Sequence, residues 1–200
     1  MQCMKRRNNG FTLVELIIVF SLLGIVLSGL YMVIEYSQRA YTSTEARSIV
    51  QDDINRVVGM IGADIRSARK PNQDTRAVVI ASGGQLMNIY TQDGDVYRRI
   101  CYRLDPADKS VLQKGWVETT SYSSAANPEY ETITNWETIL KGVVYEENGI
   151  QLAIFSDITP ADSEPTDKRL IRIDIKALDE KGRLLEAIEM PLVFSTRSKN

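Results

Sequence analysis

From Phe11 to Ile34 the chain reads FTLVELIIVFSLLGIVLSGLYMVI, and its one charged side chain is Glu15. A carboxylate near the start of a helix of membrane length costs about 2.5–3.5 kcal/mol on insertion scales, so an acid kept there is matched to a specific partner. The matching group is an amine. Cleavage between Gly10 and Phe11 would leave the α-amine of Phe11 four residues from Glu15, on the same helix or facing a neighbouring copy.

The surrounding segments position these groups. Lys5, Arg6 and Arg7 form a short basic leader ahead of the apolar run. A secretory signal peptide would also begin with basic residues, but its apolar core is about 7–15 residues long and ends at a small-residue cleavage site. Here about 24 helical residues would reach about 36 Å, enough to cross a hydrocarbon core of about 30 Å. The run therefore reads as a retained anchor, and the positive-inside bias keeps the leader in the cytoplasm and sends the rest of the chain outward.

The hexapeptide Gly10-Phe11-Thr12-Leu13-Val14-Glu15, with its leader and apolar helix, resembles the processing and methylation site of type IV prepilins and type II secretion pseudopilins. The resemblance implies cleavage and N-methylation at Phe11 by a prepilin peptidase/N-methyltransferase, and an assembly role for Glu15. It implies a leader at 1–10, a transmembrane or filament-core helix at 11–34, its amphipathic continuation at 35–69, and a β-rich head at 70–200. Shorter blocks, Tyr102-Arg103-Leu104-Asp105, Ile139-Leu140 and Arg172-Ile173-Asp174-Ile175, are similar to the C-terminal layout of W-type minor pilins and J-type pseudopilins. Partners implied are other minor pilins, the major pilin, the inner-membrane assembly platform and the cytoplasmic membrane, with the head outside and the subunit just beneath the filament tip. The tip subunit of secretion pseudopili characteristically lacks the acid that Glu15 supplies. A type IV pilus, a type II secretion pseudopilus and a competence pseudopilus all remain open, as does a membrane-anchored adhesin or ligand-binding module.

Beyond the anchor, Val50, Ile54, Val57, Val58, Ile61, Ile65 and Ala68 recur at three- and four-residue steps between polar positions. This predicts one helix from Phe11 to Arg69, about 59 residues or about 90 Å, stopped by Pro71. Gly24, Gly29, Gly59 and Gly62 read as close-packing positions within it, with local melting during assembly as the alternative. From Ala77 the period becomes two. Ala77–Ala81, Leu86–Thr91 and Val96–Leu104 read as strands joined by Ser82–Gln85 and Gln92–Asp95 turns, followed by Val111–Val117, Thr138–Tyr145, Gly149–Ser156, Arg169–Leu178 and Leu184–Phe194. The expected fold class is α+β, pilin-like: a long N-terminal helix packed on a C-terminal antiparallel sheet.

Two head features could recognise a partner. Alternation places Tyr97, Arg99, Cys101 and Arg103 on one face of a strand, where a Tyr-Arg strip suits a phosphate backbone or an acidic neighbour. A solvated face with cross-strand ion pairs is the plainer reading. The polar stretch Glu118–Asn135, with Tyr122 and Tyr130, is long enough to be functional. Asp93 and Asp95 read as turn residues, since calcium needs six to eight oxygens.

Composition narrows the function. The net charge of −2 falls to −5 once Lys5, Arg6 and Arg7 are removed, which disfavours bulk capture of nucleic acid and leaves only a local basic strip. Of the two cysteines, Cys3 lies in the leader, so Cys101 has no intramolecular partner. Many major pilins carry a C-terminal disulfide, and its absence favours a minor subunit. There is no histidine and no recognisable nucleophile or acid-pair motif, so no catalysis, cofactor or metal is expected.

Overall fold

The computed structural model describes residues 12–70, 76–120, 133–160, 169–184 and 186–196. These fall in two units, Met1–Thr44 and Glu45–Asn200, with the division inside the segment expected to be amphipathic. Helix α1 runs from Leu13 to Ser67, two residues short of the expected span at each end. Pro71, expected to stop it, lies outside the described residues.

In the first unit every apolar side chain of α1 from Leu13 to Ile34 is exposed, and this stretch is long and apolar enough to cross a bilayer. Its two serine hydroxyls are satisfied within the helix: Ser21 Oγ donates to the Ile17 carbonyl and Ser28 Oγ to that of Ile25, each at 2.8 Å. Such back-bonding removes the cost of placing a bare hydroxyl in lipid or against another helix. Charge resumes immediately after the apolar run with the Glu35–Arg39 ion pair.

The second unit holds the core. Strands β1 (Val78–Ala81), β2 (Leu86–Asp93), β3 (Val96–Leu104), β4 (Leu112–Thr119) and β5 (Trp136–Leu140) form an antiparallel meander in chain order. Strands β8 (Phe155–Asp157), β9 (Leu170–Ala177) and β10 (Ile188–Ser195) form a second antiparallel sheet with β9 central. One hydrophobic cluster joins both sheets to the helix: Val50, Ile54, Val57, Val58, Ile61, Ile65 and Ala68 meet Met87, Ile89, Ile100, Tyr102, Leu112, Phe155, Ile171, Ile173 and Ile175. Every residue of the stripe read from the sequence is thus buried. The α+β arrangement stands.

Several strand limits differ from expectation, each for a local reason. The run Thr138–Tyr145 is broken because Gly142 takes φ +72°, ending β5 at Leu140, and Val143 then makes a single bridge to Ala177 of β9. Gly149–Ser156 divides between β7 (Ile150–Gln151) and β8, and β7 pairs with β6 (Glu146–Glu147) across the turn Asn148-Gly149. Both turn residues have positive φ, the backbone that an Asn-Gly hairpin supplies. Strand β10 begins at Ile188 rather than Leu184. It forms a sheet edge, where Pro191 offers no N–H to an incoming strand.

The helix glycines separate by role. A Cβ at Gly62 would collide with the Phe194 ring, so this position is a close-packing site between α1 and β10. Gly24, Gly29 and Gly59 meet nothing within 4 Å, and packing inside the protein does not explain them.

Candidate assembly and partner surfaces

At the start of α1, Thr12 caps the helix. Its Oγ1 accepts from the Glu15 N–H at 3.3 Å, and its carbonyl accepts from the Leu16 N–H at 3.2 Å. Thr-x-x-Glu is the capping-box spacing, and a carboxylate in the first turn is favoured by the positive end of the helix dipole. Glu15 therefore belongs at this helix end for local reasons as well as any intermolecular one. It is solvent-exposed and opens an exposed apolar surface. Gly10 and Phe11 lie outside the described residues.

On the head, β3 alternates as expected, yet its outer face is not uniformly wet. Cys101 is 4% exposed, and burial pushes its thiol up to about 11, so it stays protonated at neutral pH. Arg103 stacks on Trp136 at 3.5 Å from the ring centroid and donates from Nε to Gln113 Oε1. Tyr97 and Arg99 are half-buried. Burial also raises the phenol of Tyr90, the cross-strand partner of Arg99, with the Arg99 charge opposing the rise. The fold adds two cations that sequence spacing did not associate with this strip. The Arg69 N–H donates to the Tyr90 carbonyl at 2.8 Å, and Arg69 and Lys70 border a shallow depression with Tyr90, Gln92, Tyr97 and Arg98. Tyr122 and Tyr130 lie outside the described residues.

The sequence reading also missed a polar cluster beneath the sheet. Asp64 occupies the inward face of α1, in the 57, 61, 64, 68 progression whose four- and three-residue steps could have revealed it. Its Oδ2 accepts from the buried Tyr102 hydroxyl at 2.5 Å and from Lys114 Nζ at 2.8 Å. Lys114 and Asp64 side chains are only 16% and 20% exposed. Burial first, and the Asp64 hydrogen bond and charge second, push the Tyr102 phenol far above its ordinary range.

A groove of about 420 Å³ lies elsewhere, with Val50, Ile139 and Leu140 on its floor and Asp53, Arg56, Lys141 and Glu180 on its rim. The adjoining turn is held by Arg183, whose backbone N–H, Nε and Nη2 all donate to the Asp179 carboxylate. Those bonds hold Asp179 down at about 2. Among the described residues, no group of histidine, cysteine or carboxylate side chains is arranged to hold a metal.

Residues 5–31 match the family model described as the prokaryotic N-terminal methylation motif. The chain carries a prepilin-type signal. The signal and the exposed apolar helix together support a type IV pilin-like protein, with membrane anchoring and pilus association. The motif also implies processing by a prepilin peptidase and association with the assembly machinery. Comparison with curated proteins finds no match. The match ends at residue 31, within the apolar part of α1, so what the head of this pilin-like chain recognises rests on its own residues.

Proposed function

We propose that this chain is a minor pilin, cleaved between Gly10 and Phe11, that helps initiate assembly of a type IV pilus near its tip together with other minor pilins. The observation that carries the reading is the lone Glu15 at the capped start of an exposed apolar helix. N-methylation leaves the Phe11 amine cationic. In a low-dielectric filament core an unpaired carboxylate is expensive and a paired one fixes register, so Glu15 favours docking against a neighbour's amine over remaining alone. The leader stays cytoplasmic and the head lies outside. The single cysteine of the mature chain supports a minor rather than a major subunit.

The test is the intact mass and N-terminal peptide of protein recovered from membranes and sheared filaments of the native host. A chain beginning at methylated Phe11, present in filaments in trace amount, is expected. An uncut chain, or one cut beyond the apolar helix, overturns the mechanism. Glu15→Ala should impair recruitment while sparing cleavage, and normal co-assembly of that variant would refute the ion-pair role. Loss of twitching or adhesion on deletion marks a pilus subunit. Loss of exoprotein release or transformation instead assigns the chain to a secretion or competence pseudopilus.

A further inference from the structure

Between α1 and the face of β3, β4 and β5 lies a half-open hollow of about 340 Å³, lined by Met60, Asp64, Arg98, Ile100, Lys114, Trp116 and Glu137. Its volume is at the low end for a binding pocket and ample for a single side chain. Trp116 is 43% exposed there, although its cross-strand partner Ile100 is 4% exposed and packed in the core. A tryptophan open at the mouth of a concavity, backed by packed residues, has the character of an interface anchor.

The charges around the hollow define what it accepts. Arg98 is committed to Glu118, donating from Nε at 2.7 Å, and Lys114 is committed to Asp64. Glu137 stands opposite Lys114 in the β4–β5 register, but its carboxylate has no ion-pair or hydrogen-bond partner among the described residues. Both bonds to Asp64 fall on Oδ2, so Oδ1 remains open to a donor. With Arg98, Lys114, Asp64, Glu118 and Glu137 ionised, the cluster has one uncompensated negative charge. No cation lies over the Trp116 ring among the described residues, whereas Trp136 on the opposite face is covered by Arg103.

We propose that this hollow binds a cationic side chain, an arginine in preference to a lysine, presented by a partner protein, with Trp116, Glu137 and Asp64 as its receptors. A guanidinium can stack on the indole while its planar fork donates to carboxylate oxygens, which a compact ammonium does less well. An acidic partner would meet excess negative charge. That the partner is a neighbouring subunit rests on the assembly role proposed above; the chemistry of the hollow does not.

The experiment uses the full chain in mild detergent, with Trp136→Phe so that fluorescence reports Trp116 alone. N-acetyl-arginine amide is titrated against its neutral counterpart N-acetyl-citrulline amide at fixed ionic strength. A saturable change with the arginine probe and none with citrulline is expected, and Glu137→Gln should weaken binding about threefold or more, the scale of one solvent-accessible ion pair. Glu137 is exposed, so this variant should fold normally, with near-ultraviolet circular dichroism as the check. Equal response to both probes, no saturable response to arginine, or unchanged affinity in Glu137→Gln overturns the proposal. These readouts do not depend on filament entry, which the N-terminal mass decides separately.

Discussion

Asp64→Ala removes the acceptor that ties α1 to the sheet, and its cost can be worked from the contacts. The Tyr102 hydroxyl is fully buried and donates to Asp64, so leaving it without an acceptor costs about 1–3 kcal/mol. Lys114, 16% exposed, loses its carboxylate as well. Partial access to water limits that second loss to about 1 kcal/mol, well below the figure for a fully buried pair. The expected total is about 3 kcal/mol. For a folded unit of this size, that lowers the melting temperature by about 6–12 °C. Asp64→Asn retains an oxygen acceptor for Tyr102 and should cost about 1 kcal/mol, or about 2–4 °C. In a Lys114→Met background, Asp64→Ala should lose about 1 kcal/mol less than in the native chain, because the stranded charge is gone. The assay is thermal unfolding of the detergent-solubilised chain followed by near-ultraviolet circular dichroism. Equal losses for the alanine and asparagine variants, or a shift below about 2 °C for alanine, would refute the assigned role.

Two further outcomes follow from the same geometry. Because the folded-state Tyr102 phenol is raised above its unfolded value, its stabilising contribution is complete below about pH 10 and declines above it, where only the unfolded chain ionises readily. Alkaline unfolding titrations should therefore show Tyr102→Phe losing less stability between about pH 9 and 11 than the native chain; parallel curves would count against it. Gly142 has φ +72°, and an added Cβ would press into the Leu178 carbonyl oxygen. Gly142→Ala should cost about 2–4 kcal/mol, measured as a lower melting temperature, whereas Gly149→Ala, with the same backbone sign but open space around it, should cost only about 1–2.

The sequence alone determined the features that depend on local spacing. Glu15 is visible as the one charge in an apolar run. The buried stripe from Val50 to Ala68 follows from helical periodicity, because burial of one helix face leaves a regular mark on the chain. The alternation of Ile171, Ile173 and Ile175 against Arg172, Asp174 and Lys176 likewise survives in β9, since side chains on a strand must point to opposite faces.

Only the tertiary structure decided which distant positions meet. Asp64, Tyr102 and Lys114 lie on three different elements, and no local period links a helix residue to its acceptor or donor on a strand. The division of Thr138–Tyr145 depended on the backbone sign at Gly142 and its approach to Leu178, and the gathering of Arg69 and Lys70 beside Tyr97 depended on how α1 ends against β2. The hollow at Trp116 has the same origin. A residue's type records what it can bond, but its partners are chosen by helix packing and strand register, which bring together groups far apart along the chain.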